Sequence, residues 1–202
     1  MYTLLPSSKL LHQARAGLLA LVAAFVAPLV WAGNTAAPLP TDSVYHLNAQ
    51  LTDQAGKDFA IADRRGHPVL VGMFYTSCQF VCPMLVEALR DTEAKLTPEE
   101  RGHLSVLLVT IDPARDTVAV LKRTADERAL DPAHWTVART DAKTTRKLAA
   151  VLGVQYRALP NGDFNHTTDL ILLDADGRIA GRTAQLGSAD AAFVKQVKAT
   201  TH

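Results

Sequence analysis

The chain has 202 residues and a formal net charge of +1 at pH 7, from 21 basic and 20 acidic residues. This near-neutral balance, without a basic cluster, argues against nucleic acid as a partner. Once a leader is set aside, the remaining length fits one domain with a sizeable core.

The amino-terminal segment is typical of an export leader. After a weakly positive start, residues 16–32 are uncharged and rich in Ala, Leu and Val, and residues 30–32 before Gly33 fit a small-residue cleavage site. The apolar run is shorter than the roughly 20 residues that a membrane-spanning helix prefers, and Pro28 interrupts it. We therefore predict that residues 1–32 are a signal peptide or an amino-terminal membrane anchor.

The rest of the chain alternates strand and helix patterns. Residues 33–42 contain two prolines and no apolar period, which is typical of a linker, so we assign the folded domain to residues 43–202. The predicted strands cover residues 45–51, 59–62, 69–75, 104–111, 135–139, 168–173 and 178–183. The predicted helices cover residues 83–96, 117–129, 142–152 and 189–200, with a short helical turn after Thr97. Between them, residues 158–165 are predicted to be a polar loop.

The order of these elements predicts the fold class. The first two strands form a hairpin around residues 53–57, and the last two form another around residues 174–177. The runs 69–75 and 104–111 are continuously apolar, as expected of strands buried on both faces. We therefore predict an α/β fold, a thioredoxin-like mixed sheet flanked by helices with an N-terminal β-hairpin.

Cys78 and Cys82 are the only cysteines in the sequence. They lie between a predicted strand and a predicted helix, where unpaired amides and the helix dipole favour a thiolate. An exported protein meets an oxidising environment that permits a structural disulfide. A disulfide between these two cysteines would close only a very short loop, however, and would stabilise the fold little. We interpret the pair as a chemical site that binds a metal or exchanges a disulfide.

The thiols favour copper if they bind a metal. Soft thiolates select Cu(I), and an added imidazole makes Cu(II) acceptable. His166 is the candidate third ligand, because the strand that follows it should start beside the end of the strand that delivers the cysteines. Zinc competes, but its structural sites need four protein ligands and only three candidates are visible.

Other polar residues receive structural interpretations. Asp112 follows the second buried strand. It either caps the next segment or orients the metal ligands by contacts from outside the coordination shell. Asp116 is a fair N-cap for the helix over residues 117–129. Four further histidines in turns or beside polar residues are expected to be solvated: His46, His67, His103 and His134.

Residues 45–200 resemble the Sco/SenC family of exported copper proteins. The resemblance rests on Cys-x-x-x-Cys-Pro at residues 78–83, on Thr-Ile-Asp-Pro-Ala-Arg-Asp-Thr at residues 110–117, and on His166 ahead of an apolar strand. It implies a periplasmic thioredoxin-like domain, often tethered to the membrane by an amino-terminal helix. It also implies that Cys78, Cys82 and His166 bind copper, as Cu(I), Cu(II) or both.

The resemblance further implies a task and partners. The family's usual task is to deliver copper to the binuclear copper centre of cytochrome c oxidase, or to reduce the cysteines of that centre. The implied partners are the copper-bearing oxidase subunit or another periplasmic copper protein, with a thioredoxin-like reductant. Many members carry Pro and Asp after the first cysteine, whereas this chain has Gln79 and Phe80, so the recipient stays open.

Three functions therefore compete. The first, which we favour, is a copper-binding metallochaperone. The second is a thiol-disulfide oxidoreductase, in which Cys78 attacks, Cys82 resolves and His166 assists proton transfer. The third is a peroxiredoxin-like peroxidase, but Thr76 is one residue too close to the thiol for the Thr-x-x-Cys pattern.

Overall fold

The computed structural model describes residues 37–201 of the chain. Its strands are β1 (Gln50–Asp53), β2 (Asp58–Ala60), β3 (Val69–Phe74), β4 (Ser105–Thr110), β5 (Trp135–Arg139), β6 (Tyr156–Ala158), β7 (Phe164–His166), β8 (Leu170–Leu173) and β9 (Ile179–Thr183). Its α-helices are α1 (Val81–Ala94), α2 (Pro98–Gly102), α3 (Val118–Glu127), α4 (Ala142–Val151) and α5 (Ala191–Thr200). The leader predicted at residues 1–32 lies outside the described residues. Within residues 37–201, no helix has the length and apolar character needed to cross a membrane.

Seven of the strands form one mixed sheet in the order β2-β1-β5-β4-β3-β8-β9. The central strands β3, β4 and β5 run parallel, whereas β8 is antiparallel to β3 and β1 is antiparallel to β5. Helices provide the crossovers that parallel neighbours require. The predicted α/β fold, a thioredoxin-like mixed sheet flanked by helices, is confirmed.

Burial of the central strands explains their continuous apolar sequences. Every residue of β3 and of β8 is buried, and so is every residue of β4 except Ser105. The register places Gly72 of β3 opposite Leu108 of β4 and Leu170 of β8. The start of β8 therefore lies beside the carboxyl end of β3, as we predicted.

The helices begin and end within two residues of the predicted bounds, but the N-terminal hairpin is shorter than predicted. β1 and β2 pair around the expected turn, with Leu51 opposite Phe59. The preceding segment Val44–Leu47 is instead a 3-10 helix, whose cap Ser43 accepts a hydrogen bond from the N–H of Tyr45. The prediction of a strand from residue 45 is wrong, because the chain there forms a helical turn that buries the Tyr45 ring in the core.

Another hairpin replaces the polar loop predicted at residues 158–165. Strands β6 and β7 pair antiparallel, with Tyr156 opposite His166, and form a separate two-stranded sheet. The turn between them holds Gly162 at φ +85°, a conformation that favours glycine. The N–H of Asp163 donates to the Asn161 side chain at 3.1 Å. His166 therefore ends a strand, not an irregular loop.

Gly72 allows α1 to pack closely on β3. A Cβ atom at this position would lie 3.0 Å from Cδ2 of both Leu85 and Leu108, and both leucines are buried.

We expect Gly72→Val to lower the free energy of unfolding by about 1–3 kcal/mol, the usual cost of overpacking, as measured by urea denaturation. Gly102→Val is the matched control, because a Cβ at Gly102 meets nothing within 4 Å. Equal losses in the two variants would contradict this account.

Candidate metal centre

The two cysteines lie where the loop after β3 becomes α1. Cys82 is the second residue of α1 and is 2% exposed, whereas Cys78 lies in the loop and is half-buried. Both thiols are free. The backbone N–H of Cys82 donates to Sγ of Cys78 at 3.4 Å. The Cys78 sulfur thus accepts one of the N–H groups that a helix start leaves unpaired.

The two thiols differ in acidity. Burial acts to raise the pKa of Cys78, but hydrogen bonds from Cys82 and from the N–H groups of Phe80 and Val81 outweigh it, so this pKa lies below its ordinary value. Burial raises the pKa of Cys82, and the charge of Cys78 adds to that shift. At neutral pH Cys78 is therefore the better nucleophile, and Cys82 keeps its proton until a metal or a reaction removes it.

Asp116 holds the loop that carries Cys78. Its carboxylate is 2% exposed and accepts hydrogen bonds from the Thr76 N–H at 3.1 Å, from the Thr76 hydroxyl and from the Thr110 hydroxyl. Our prediction that Asp116 caps α3 is wrong, because the side chain of Thr117 provides that cap. Asp116 instead ties the thiol loop to the end of β4.

Asp112 closes the turn that follows β4. It is 6% exposed, and its carbonyl accepts hydrogen bonds from the N–H groups of Arg115 at 3.2 Å and Asp116 at 2.9 Å. Its carboxylate forms an ion pair with the Arg115 guanidinium. Arg115 in turn donates to the Gly162 carbonyl and lies 5.7 Å from the ring centre of Phe164. Asp112 therefore caps its own segment and is linked through Arg115 to hairpin β6–β7; its role toward a metal stays a prediction.

His166 is held with one ring nitrogen engaged. It is half-buried, and Nδ1 lies 2.9 Å from the backbone carbonyl of Thr167. Burial lowers the pKa of the imidazole, against the opposing effect of that carbonyl, so the ring is neutral at pH 7. A neutral ring that interacts with a carbonyl carries its proton on Nδ1, which leaves the lone pair of Nε2 available to a metal.

Tyr75 contacts both halves of the predicted site. Its ring centre lies 5.7 Å from that of His166 and 5.2 Å from that of Phe164, and its hydroxyl accepts a hydrogen bond from the Phe164 N–H at 3.5 Å. Tyr75 and Cys78 line the same cavity. Within residues 37–201, no three histidine, cysteine, aspartate or glutamate side chains lie close enough together to hold a metal ion. The structure thus links His166 to the surroundings of Cys78 through the Tyr75 ring, without completing a coordination shell.

Our sequence analysis did not single out Tyr75 or Arg115. Tyr75 belongs to the Tyr-Thr-Ser-Cys run before the first thiol, and Arg115 belongs to the Asp-Pro-Ala-Arg-Asp run after β4. Arg115 was visible only as part of the motif at residues 110–117, and Tyr75 only as the end of a predicted strand. Their contacts depend on hairpin β6–β7, which the sequence did not reveal.

Both polar and apolar side chains surround the accessible thiol. A cavity of about 410 Å³ opens at Cys78, with Leu159 and Phe164 on its far wall. Phe80, on the near side, is 80% exposed, and Met84 is 46% exposed. A larger cavity of about 690 Å³ between α4 and β6 is lined by no cysteine, histidine or carboxylate, so we place the chemistry at the smaller one.

Three other histidines lie at the opposite edge of the sheet. His67, His103 and His134 precede β3, β4 and β5 and line a cavity of about 240 Å³ together with Asp63. His67 and His103 are exposed and His134 is half-buried, as expected of solvated imidazoles. The thiols lie beyond the carboxyl end of β3, so these histidines are remote from them.

We expect Asp116→Asn to destabilise the protein. The amide keeps the shape but removes the charge and turns an NH₂ group toward hydroxyl and N–H donors. The loss should be about 2–3 kcal/mol, because hydrogen bonds to a buried charged group are the strong ones. Urea denaturation measures it, with Asp126→Asn as control, since Asp126 is exposed and pairs only with Lys122 on the same helix surface. Equal effects would show that the buried carboxylate is unimportant.

We expect alkylation to distinguish the two thiols. Reduced protein treated with limiting iodoacetamide at pH 7 should be modified at Cys78 about tenfold or more faster than at Cys82, because reactivity follows the thiolate fraction and exposure. Peptide mass spectrometry gives the ratio, and the Cys78→Ser variant gives the rate of Cys82 alone. Similar rates at both positions would refute the difference in acidity.

Comparisons with known proteins agree with the fold and identify the family. The model of the SCO1/SenC family matches residues 42–201. A protein of Stutzerimonas stutzeri that is named for copper binding is 26% identical over 136 residues, which is 65% of each chain. A SCO2-like protein of Rickettsia typhi is 35% identical over 73 residues, which is 36% of each chain. The match therefore spans less than two thirds of each of these two relatives.

A solved structure extends the comparison to most of the chain. ScoI of Bradyrhizobium japonicum, solved with copper bound, is 26% identical, with a TM-score of 0.60 over 75% of this chain and 96% of that one. The family match begins ahead of the 3-10 helix before β1 and ends at the end of α5, so it includes both cysteines, His166 and the whole sheet. On this evidence the chain belongs to the SCO1/SenC family.

Proposed function

We propose that this protein is an exported copper-binding metallochaperone. It would deliver copper to the binuclear copper centre of cytochrome c oxidase, or prepare the cysteines of that centre. One observation carries the proposal: of two free thiols at the junction between the loop and α1, Cys78 shares a cavity with Tyr75, whose ring contacts the half-buried imidazole of His166. The copper-bound relative and the family membership support the same assignment.

The residues present fit copper. Cys78 and Cys82 supply two soft sulfur donors that are adjacent in space, as the 3.4 Å contact between the Cys82 N–H and the Cys78 sulfur indicates. His166 supplies a neutral imidazole with one free nitrogen. Two thiolates and one imidazole suit Cu(I) and also tolerate Cu(II). When bound, copper serves as the cargo, and the chain's own task is to hold and release it.

Binding requires a local rearrangement. As the hairpin β6–β7 now lies, the three proposed ligands do not form one coordination shell, and the Tyr75 ring contacts His166 edge-on. Among the strands of residues 37–201, the hairpin shares no pairing with the main sheet, so it can shift without breaking the hydrogen bonds between the core strands. We propose that this shift brings His166 to the thiols.

The alternative is a thiol-disulfide oxidoreductase, and the difference in thiol acidity favours it. The Cys78 thiolate would attack a partner's disulfide and release one partner thiolate. Cys82 would then lose its proton, attack the mixed disulfide, release the second partner thiolate and leave a Cys78–Cys82 disulfide. The reaction moves two electrons from this chain to its partner, so a thioredoxin-like reductant would have to restore the dithiol.

Location and partners follow from the same proposal. We propose that residues 1–32 act as signal peptide or membrane anchor, that residues 33–42 are a linker and that residues 43–202 act in the periplasm. The recipient would be the copper-bearing oxidase subunit or another periplasmic copper protein. Phe80, which is 80% exposed and lines the thiol cavity, would contact that recipient.

Copper titration separates the two functions. We expect anaerobic, reduced protein to bind one copper ion with a sulfur-to-copper charge-transfer band for Cu(II). His166→Ala should weaken Cu(II) binding by more than about tenfold, since even outer partners of metal ligands contribute 10–100-fold. The matched control His103→Ala, at the opposite edge of the sheet, should bind as the unchanged protein does.

Cys78→Ser and Cys82→Ser should each abolish the charge-transfer band or weaken it strongly. Absence of tight copper binding, combined with fast disulfide turnover, would overturn the metallochaperone in favour of the oxidoreductase. An unchanged Cu(II) affinity in His166→Ala would remove the imidazole from the site.

A further inference from the structure

Hairpin β6–β7 stands apart from the main sheet and is held by side chains from the main body. It pairs only with itself, through Tyr156 opposite His166 and Ala158 opposite Phe164. Tyr75 contacts it at Phe164 and at His166. Arg115 contacts it near its turn. The position of His166 relative to the thiols therefore depends on these side-chain contacts.

Arg115 makes three contacts that join two parts of the molecule. Its guanidinium donates to the Gly162 carbonyl in the turn of the hairpin and lies 5.7 Å from the centre of the Phe164 ring. Its Nε donates to the carboxylate of Asp112, whose side chain is only 8% exposed. A buried carboxylate thus anchors the guanidinium, and the guanidinium holds the hairpin.

The strand geometry connects this contact to His166. Alternate residues of a strand face the same side, so Phe164 and His166 of β7 share one face. Both rings lie against Tyr75, at 5.2 Å and 5.7 Å. Arg115 therefore contacts the same strand, and the same face of it, that carries His166.

We propose that Arg115, anchored by Asp112, is a positioning residue that tethers the turn of hairpin β6–β7 beside the thiols, so that a short shift of β7 can join His166 to Cys78 and Cys82 on copper. The inference rests on the proposed copper function. Without Arg115 the hairpin would sample positions farther from the thiols, and the effective concentration of the imidazole would fall. Cys78 lies on a loop held by Asp116 and Cys82 lies in α1, so both thiols would stay in place.

The first test uses metal-free protein. In Arg115→Gln, amide hydrogen exchange across residues 156–166 should be about tenfold faster, while the strands β3 and β4 keep their protection. Arg157→Gln is the matched control, because Arg157 is an exposed arginine on the same hairpin. Unchanged exchange in Arg115→Gln would overturn the proposal whether or not the protein binds copper.

The second test uses copper. Arg115→Gln should lower the Cu(II) affinity about tenfold and reduce the nitrogen coupling in the electron paramagnetic resonance spectrum, while the Cu(I) affinity of the two thiols changes less than about threefold. In a His166→Ala background, the same substitution should cause no further loss, because a double-mutant cycle isolates the coupling between the two residues. An equal loss with and without His166 would show that Arg115 does not act through the imidazole.

A further variant protects the test against misfolding. Asp112→Asn should shift hairpin exchange and Cu(II) affinity in the same direction as Arg115→Gln, but less, because Arg115 keeps its contact with Gly162. Thermal unfolding of each variant reports whether the domain is intact. If unchanged protein binds no copper, the proposed function fails, whereas the exchange measurement still decides whether Arg115 holds the hairpin.

Discussion

The position of β3 between β4 and β8 is the constraint on which the site depends. β3 delivers the thiol loop at its carboxyl end, parallel β4 ends at the same edge, and antiparallel β8 begins there. The apolar side chains along these strands are buried, and each contributes about 1.5–3 kcal/mol. A slip of one residue would turn apolar side chains to the wrong face. The core thereby places Cys78 and the strand after His166 side by side.

A single turn after β4 contacts both halves of the candidate site. Asp116, at its end, accepts hydrogen bonds from Thr76 and fixes the thiol loop, whereas Asp112, at its start, anchors Arg115 and through it the hairpin that carries His166. Burying two carboxylates is costly unless donors surround them. Here the donors belong to the elements that the site must hold in place. The cost of burial is thus offset by contacts that also organise the site.

The sequence predicted what local patterns encode. Continuous apolar runs revealed β3 and β4, and strand order correctly placed the start of β8 beside the end of β3. Other features depend on distant contacts. Tyr45 lies in a helical turn because the core takes up its ring, and hairpin β6–β7 is stabilised by a glycine turn and by Tyr75 and Arg115, from elements far along the chain. Asp116 looked like a cap because a helix follows it, yet its donors come from β4 and the thiol loop.

The hairpin also bears on the choice between the two proposed activities. Burial raises the pKa of Tyr75, the hydrogen bond from the Phe164 N–H lowers it, and the charge of Cys78 raises it again, so that the net shift is upward. The phenol therefore keeps its proton and can donate to a Cys78 thiolate. In this arrangement Cys78 is accessible to a partner's disulfide, and His166 contacts the Tyr75 ring. Under the proposed function, moving His166 to the thiols would complete the donor set for copper, and a sulfur that holds copper cannot attack a disulfide. The two proposed activities would therefore use the same two sulfurs in turn, and the position of β7 would decide which activity is available.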